Sequence, residues 1–372
     1  MNYCIKCVLP DTKPGVILNS SNICGACQYA EIKKNIDWEE RASKLKNLCD
    51  SIRGTNGNGY ECIVPVSGGK DSMFQAYMMS KVYNLKVLCI NMTAHIQTVE
   101  GISNLNALVE NLNLDLIKIS VRPSTQQKIR RIGMFELGNP NYAEHQVVFS
   151  GVARAALTTK APLVVWGEDI GVEFGGNVSQ TSQEDGSAED LIKNDLFNQI
   201  TLEKLLKKRI PEKELFFYNH PEKSEFENNK VKSVYLSYYH KWDGHEHFKI
   251  AEKFGFMGRK KGPLSGNILN YDNIDEKLCE IHIWFKMLKF GFWRPTDQSC
   301  YQIWNNRMKR DEAVDIVLNK QYEFPDEYLN EFLEYHELKE NELLDCMEKY
   351  RNLDIWHKVN NSWKLKYEVF KI

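Results

Sequence analysis

Short apolar runs alternate with segments of helical period along much of the chain. Five runs predict strands, at 61–66, 86–91, 115–120, 162–167 and 231–239. Apolar positions at helical spacing predict helices at 99–112, 124–136 and 142–159, and a more polar helix precedes them at 36–53. Strands that alternate with helices favour an α/β fold with a parallel, twisted sheet, whose ligands lie beyond the carboxyl ends of its strands.

The segments outside this alternation differ in composition. We divide the chain into a cysteine-bearing knuckle at 1–35, an α/β domain at 36–240 and a mainly helical C-terminal region at 241–372, which we expect to contribute to a substrate pocket. Residues 177–230 are polar and charged, and they predict a helical insertion that could act as a lid. A surface embellishment without function is the alternative for this insertion.

The stretch Ser67–Ser72 reads Ser-Gly-Gly-Lys-Asp-Ser and joins the first predicted strand to a helix. Its glycines allow the backbone to approach an anion, and the helix start favours negative charge. The sequence therefore predicts a phosphate-binding loop, although an ordinary strand-to-helix turn is the alternative. The predicted contacts to the bound phosphates come from Val66, Ser67, Gly68, Gly69, Lys70, Asp71 and Ser72. A carboxylate at Asp71 would be repelled by phosphate unless a cation intervened, so we expect it to contact Mg²⁺.

The ends of the second and fourth predicted strands supply further candidates. Asn91 and Met92 end the second strand and could contact a nucleoside. After the fourth strand come Gly167, Glu168, Asp169, Glu173, Gly175 and Gly176. Carboxylates at this edge could hold Mg²⁺ or bind sugar hydroxyls, and a flexible acidic loop is the alternative. We take Lys70, Asp71, Glu168 and Glu173 as the catalytic candidates, with Gly167 on the nucleotide.

Several other residues are candidates for the substrate pocket. His145 lies at the start of a predicted helix, although a lone histidine is more often structural. Arg294, Thr296 and Asp297 follow an aromatic-rich turn and offer a guanidinium, a hydroxyl and a carboxylate in what we expect to be a loop. Asp169, Gly175 and Gly176 complete the set of substrate candidates.

Four cysteines form two C-x-x-C pairs, Cys4 with Cys7 and Cys24 with Cys27. This spacing is typical of a zinc knuckle, in which two tight turns aim four thiolates at one closed, structural site. Rubredoxin-like iron, an iron–sulfur cluster and a redox dithiol remain alternatives.

Charge and hydropathy narrow the class of function. Lys and Arg number 48 and Asp and Glu number 50, so the chain lacks the basic excess of most nucleic-acid-binding proteins. No apolar run of about 18 residues predicts a membrane span, and the first residues have no signal-peptide pattern. We expect a cytoplasmic protein whose partners include neither nucleic acid nor membrane.

The phosphate loop resembles the SGGxDS loop of the PP-loop ATP pyrophosphatases, and the chain as a whole resembles the N-acetyl sugar amidotransferase family within that superfamily. Trp293 departs from the family pattern, since a small residue is expected there. The motifs that carry the resemblance are Cys4–Cys7, Leu9–Pro14, Cys24–Cys27, Ile36–Trp38, Ile63–Ser72, Trp166–Glu168, Glu173–Gly176, Asn270–Asp275, Lys289–Phe292 and Arg307–Ala313.

The resemblance implies the sheet of the adenine nucleotide alpha hydrolase (HUP-like) fold, with ATP and Mg²⁺ as cofactors and a structural Zn²⁺. It implies conversion of an acetamido group of a sugar to an acetamidino group, through an adenylated imidate and ammonia. The family acts on sugars such as pseudaminic acid, in flagellin glycosylation or lipopolysaccharide biosynthesis. A tRNA-modifying PP-loop enzyme of the thiolation or lysidine type, and an ATP-binding protein without turnover, are the alternatives.

The source of ammonia is a separate question. An N-terminal glutaminase nucleophile requires cysteine at position 2, where this chain has Asn2, and no G-x-C-x-G elbow is present. If the protein uses ammonia, we therefore expect a separate glutaminase subunit to supply it.

Overall fold

A computed structural model of the chain describes residues 1–142, 144–169, 173–174, 206 and 209–372. Within these ranges no helix combines the length and the apolar character that crossing a membrane requires. Most of the predicted insertion at 177–230, up to residue 208, lies outside the described residues apart from position 206.

A five-stranded parallel sheet forms the centre of the α/β domain, as predicted. Its strand order is β3-β2-β1-β4-β5, and every neighbouring pair is parallel. The strands are β1 Cys62–Pro65, β2 Val87–Met92, β3 Asp115–Ile119, β4 Leu163–Trp166 and β5 Lys232–Tyr235. The order places β1 at the middle of the sheet, so the loop that follows β1 emerges at the centre of its carboxyl edge.

Both faces of the sheet are covered by helices, which explains why the inner strands are continuous apolar runs. Successive strand residues point to opposite faces. Val64 of β1 faces a core shared with the helices that follow the first two strands, whereas Ile63 faces a core shared with Val152 of the helix before β4. The edge strand β3 is more polar and more exposed.

The helices of this domain lie close to their predicted positions. They are α2 Trp38–Ile52, α3 Lys70–Tyr77, α4 Val99–Leu112, α5 Pro123–Leu137 and α6 Glu144–Thr159. Before them, α1 Gly25–Ile32 lies in the knuckle, where no helix was predicted. The domain's hydrophobic core also includes Trp242, Ala251, Phe256, Tyr271 and Ile274, so the packing around the sheet continues past residue 240.

The C-terminal region is helical, as predicted, and it ends in a hairpin that the sequence analysis missed. Its strands are β6 Trp356–Val359 and β7 Ser362–Leu365, joined by Asn360 and Asn361 with φ of +48° and +63°. Two consecutive residues with positive φ are the mark of a tight hairpin turn, and asparagine tolerates that conformation. The helices of the C-terminal region are Gly244–Glu252, Cys279–Phe290, Arg294–Trp304, Arg310–Lys320, Leu329–His336 and Glu340–Lys349. Two short helices precede this region, Lys223–Asn229 and Leu236–Tyr239, and the second replaces the end of the strand predicted at 231–239.

The N-terminal knuckle packs against the C-terminal region. The four buried cysteines share a core with Phe292, Val314 and Val317. Arg310 donates to the carbonyl oxygens of Cys4 and Cys7, at 3.3 and 3.1 Å. The knuckle therefore shares one hydrophobic core with residues of the C-terminal region.

Candidate functional site

The phosphate loop has a backbone shape that requires glycine. Gly68 has φ of +98°, and a Cβ atom there would lie 2.5 Å from the carbonyl oxygen of Gly101. Ser67 Oγ accepts from the Gly69 N–H at 3.2 Å, and Ser72 Oγ donates to the Gly69 carbonyl at 2.9 Å. These bonds hold the loop against the start of α3, where free N–H groups favour an anion.

Lys70 is held between two aspartates at the base of this loop. Its Nζ lies 3.0 Å from Asp71 Oδ2 and 2.8 Å from Asp272 Oδ1. Burial alone would lower the pKa of Lys70, but the two carboxylates raise it above its usual range. The ammonium group is therefore charged and fixed in position before any ligand arrives.

Asp71 is also bonded to a histidine that the sequence analysis did not select. His247 Nδ1 lies 2.7 Å from Asp71 Oδ1, and the ring stacks on Phe74 with centroids 4.0 Å apart. Because His247 Nε2 accepts from the Asp243 N–H at 3.4 Å, we assign the proton to Nδ1, which donates to Asp71. Lys70 and His247 together lower the pKa of Asp71 well below its usual value, against the effect of burial. This carboxylate is therefore ionised at neutral pH.

The main cavity of the site has a volume of about 350 Å³ and opens at the carboxyl edge of the sheet. Its polar end is formed by the phosphate loop with Asp272 and Asp275. Its other end is apolar, and the rings of Phe149 and Trp166 lie 4.4 Å apart there. Further apolar walls come from Ile90, Met92, Val148 and Val152. A polar end for phosphates and an apolar end for a base match the two parts of a nucleotide.

Glu168 lies where the main cavity meets a second one. Burial and the charge of Asp71 raise the pKa of Glu168 to about 7. The second cavity has a volume of about 90 Å³ and shares Lys70, Asp71, Glu168, Tyr271 and Asp272 with the first. The Glu168 carboxyl group, which lies between the two cavities, can therefore gain or lose its proton near neutral pH.

Glu173 lines the second cavity and is bonded to the N-terminal knuckle. Lys33 Nζ lies 2.7 Å from Glu173 Oε2, and both side chains are buried. Burial raises the pKa of Glu173, and the Lys33 charge opposes that shift. Lys13 donates to the carbonyl oxygen of Phe174, the next residue. Two lysines of the knuckle thus hold the described part of the loop after β4.

The nucleotide candidates Met92, Gly167 and Asn91 and the substrate candidate His145 fall into two groups. Met92, His145 and Gly167 line the main cavity, and a Cβ at Gly167 would lie 2.7 Å from Gln75 Nε2. Asn91 does not line it: its Nδ2 donates to the Val66 carbonyl at 2.8 Å and so ties β2 to β1. Asn91 therefore joins two strands and is not part of the wall of the main cavity.

The expected loop at 294–298 is instead the first turn of the helix Arg294–Trp304. Arg294 is buried and bonded to Glu280, with Nη2 3.0 Å from Oε1. Thr296 is buried, and Asp297 pairs with Lys286. None of the three lines either cavity, whereas Gln298 of the same turn donates to Asp272 Oδ2 at 3.3 Å. Pro295, at the second position of the helix, is a signal for a helix start that the sequence analysis missed, because it follows an aromatic-rich turn.

The last three substrate candidates, Asp169, Gly175 and Gly176, are not among the described residues that line the two cavities. Asp169 is buried, and its backbone N–H donates to Ser237 Oγ at 3.0 Å. Gly175 and Gly176 lie outside the described residues, as does most of the proposed lid.

The four knuckle cysteines converge on one point. Their Sγ atoms all lie within 4.8 Å of one another, with 3.8 Å between Cys4 and Cys27 and 3.6 Å between Cys7 and Cys24. A tetrahedral ion with bonds of about 2.3 Å to sulfur requires about 3.8 Å between sulfurs. Backbone N–H groups of Lys6 and Cys24 also donate to Cys4 Sγ. The set could therefore bind a metal.

Residues 232–369, somewhat more than a third of the chain, match the family described as LPS biosynthesis protein WbpG-like, C-terminal domain. No curated protein sequence matches the chain. The matched segment supplies His247 and Asp272 to the site, so the similarity includes the part of the site that is distant in sequence from the phosphate loop.

Several solved structures are similar to the chain. NH3-dependent NAD synthetase from Campylobacter jejuni subsp. jejuni NCTC 11168, in complex with the nitrate ion, has 14% identity and a TM-score of 0.31 over 60% of this chain and 99% of that chain. NMN synthetase from Francisella tularensis has 16% identity and a TM-score of 0.29 over 53% and 97%. The U34-tRNA thiolase NcsA from Methanococcus maripaludis, with its 4Fe–4S cluster, has 15% identity and a TM-score of 0.32 over 82% and 86%.

Proposed function

We propose that the protein is an ATP-dependent amidotransferase that converts an acetamido group of a sugar to an acetamidino group, in surface-glycan biosynthesis. The observation that carries the proposal is Lys70, fixed between Asp71 and Asp272 beside the glycine loop and at the base of a nucleotide-sized cavity. The similarity of residues 232–369 to a lipopolysaccharide biosynthesis domain supports a sugar as the acceptor. A pseudaminic or other nonulosonic acid is the substrate that we expect.

The chemistry explains why a triphosphate would be needed. An amide carbon is a poor electrophile, and its oxygen is a poor leaving group. Attack of that oxygen on the α-phosphate of ATP forms an imidate adenylate and releases pyrophosphate. Ammonia then attacks the carbon, and the C–O bond breaks as AMP leaves. Lys70 and the N–H groups around Gly69 would stabilise the negative charge on the phosphates.

The residues present fit both of the metal ions that this proposal needs. Asp71, Asp272 and Glu168 offer carboxylate oxygens to the main cavity beside the phosphate loop, and oxygen is the ligand that Mg²⁺ prefers. Bound there, Mg²⁺ would neutralise phosphate charge. The converging thiols of the knuckle suit Zn²⁺, which would hold the fold of residues 1–35 without entering the reaction.

The direct test is product analysis. The protein is incubated with ATP, ammonium chloride and a di-N-acetylated nonulosonic acid, and the products are followed by mass spectrometry and a pyrophosphate assay. We expect AMP, pyrophosphate and a sugar one mass unit lighter, because NH replaces O. Lys70→Met should lower kcat/KM at least 100-fold, since one preorganised charge on the reacting phosphates is lost. Lys277→Met, in an ion pair outside both cavities, is the matched control.

Other products would point to other functions. Production of ADP and orthophosphate would contradict cleavage between the α and β phosphates. AMP formation that requires tRNA and not the sugar would instead favour a tRNA-modifying enzyme. Activity that survives Lys70→Met would overturn the role of the glycine loop.

A further inference from the structure

The second cavity contains buried polar atoms that the described part of the chain leaves without partners. Glu173 is 6% exposed, and its Oε2 is bonded to Lys33, but its Oε1 has no hydrogen-bond partner among the described residues. Asn305 Oδ1 and Trp304 Nε1 are also buried without partners there, and both side chains line the same cavity. Buried polar atoms are rarely left unpaired, because each costs free energy. The two acceptors, Glu173 Oε1 and Asn305 Oδ1, and the donor, Trp304 Nε1, could therefore be paired by a small polar ligand.

The charge of the cavity walls disfavours an anion as that ligand. Among the described residues, three cations line it, and each is already paired: Lys33 with Glu173, Lys70 with two aspartates, and Arg307 with Asp243. The carboxylates of Asp71, Glu168, Glu173 and Asp272 line the same cavity. A pyrophosphate ion would find no unpaired cation here, whereas a ligand with N–H donors finds acceptors.

Size and wall chemistry narrow the choice further. A volume of about 90 Å³ holds roughly three molecules that each occupy ~30 Å³, as water does. The rings of Tyr301 and Trp304 form part of the wall, with centroids 5.6 Å apart. The unpartnered Trp304 N–H is a donor only and cannot coordinate a metal ion, whereas aromatic faces attract ammonium ions. The ligand is therefore small, carries N–H groups and has no negative charge.

We infer that the second cavity binds ammonium, with Glu173 Oε1 and Asn305 Oδ1 accepting its N–H groups, and that the Glu168 carboxylate takes one proton from it to release neutral ammonia. This inference rests on the proposed function. The Trp304 N–H can donate to the lone pair of neutral ammonia. Lys70, Asp71 and Glu168 line both cavities, so the nucleophile is stored next to the site where the phosphates bind.

The test is the dependence of product formation on ammonium chloride at saturating ATP and sugar. Glu173→Gln should raise the KM for ammonium about tenfold or more, as the loss of a charge-assisted hydrogen bond predicts. The KM for ATP should change less than about twofold, because Glu173 does not line the main cavity. Asn305→Leu should raise the KM for ammonium in the same way and serves as a second variant if Glu173→Gln fails to fold.

Glu331→Gln is the matched control, since Glu331 also pairs with a lysine, Lys277 at 2.9 Å, but outside both cavities. It should leave the KM for ammonium at the wild-type value. If the wild type forms product and both cavity variants keep the wild-type KM for ammonium, the ammonia site is wrong and the proposed function stands. If the wild type forms no acetamidino product at any ammonium concentration, both are overturned.

Discussion

Gly68 is the residue on which the shape of the phosphate loop depends. Gly68→Ala should destabilise the protein by about 2–4 kcal/mol, because a strained backbone adds to a clash with the Gly101 carbonyl 2.5 Å away. Gly262 is a matched control, since its φ is +93° but nothing lies within 4 Å of an added Cβ. Gly262→Ala should cost only the backbone part, about 1 kcal/mol. Urea denaturation measures both, and equal losses would contradict the crowding at Gly68.

The titration of Glu276 should make the free energy of unfolding depend on pH. Burial raises its pKa to about 7, although Arg130 lies 2.6 Å away and opposes the shift. The native state therefore binds more protons than the unfolded chain between the ordinary pKa of 4.5 and about 7. The contribution of Glu276 to the free energy of unfolding is fully present below pH 4.5. It is lost as the pH rises from there to about 7.

Glu276→Gln removes this titration. Relative to the wild type, the variant should gain up to about 3 kcal/mol in free energy of unfolding between pH 5 and pH 8. Comparing the two pH values cancels any cost of the altered bond to Arg130 that does not depend on pH. A difference between variant and wild type that stays constant from pH 5 to pH 8 would show that Glu276 does not titrate in this range.

The sequence analysis selected site residues where the chemistry is local. Lys70 and Asp71 lie inside a six-residue motif, so a strand, two glycines and a helix start were enough to select them. Their partners His247 and Asp272 are 176 and 202 positions away from the residues they bond. No periodicity or spacing predicts such contacts, because they depend on tertiary packing. The helix Gly244–Glu252 brings His247 to α3, and the packing of Tyr271 and Ile274 in the same core brings Asp272 to Lys70. The available signals were the histidine pair in His245-Glu246-His247 and the motif Asn270–Asp275, which contains Asp272.

At the scale of elements, hydrophobic pattern decided which predictions succeeded. The inner strands are buried on both faces, so each appears as a short apolar run with a helix after it. The hairpin β6–β7 was missed because its strands are short and mostly exposed, which leaves little apolar pattern. The turn at Arg294 was predicted as a loop because its polar residues are buried by tertiary contacts that the sequence does not reveal.

The knuckle is the element whose stability should depend most on a metal. We expect one zinc ion per chain by elemental analysis, and a visible absorption band would instead indicate iron. Cys24→Ser should release the metal and lower the melting temperature, because residues 1–35 are too few to form a core alone. Cys300→Ala is the control, since Cys300 shares the buried core of the knuckle but lies outside the four-cysteine set. Metal retained by Cys24→Ser would contradict the site.

At the scale of the whole molecule, three segments of the chain meet at the candidate site. The α/β domain supplies the glycine loop, the C-terminal region supplies Asp272 and His247, and the knuckle supplies Lys33. Residues of all three segments also line the second cavity, where the ammonia site is proposed. Activity should therefore depend on the packing of the knuckle, even though its cysteines lie outside both cavities.

Arg310 is the contact through which this packing can be tested. Its guanidinium donates to the carbonyls of Cys4, Cys7 and Phe370. Arg310→Leu should lower the free energy of unfolding by roughly 3 kcal/mol, because several charge-assisted bonds are lost together.

Limited proteolysis should then cleave within residues 1–35 faster than in the wild type, since the knuckle loses its main polar contact with the helix Arg310–Lys320. Arg53→Leu is the matched control, because Arg53 also donates to backbone carbonyls, those of Tyr83 and Asn84, but only within the α/β domain. It should lose stability without exposing the knuckle. If both variants are cleaved at the same sites and rates, Arg310 does not hold the knuckle in place, and the dependence of activity on this packing has no structural basis.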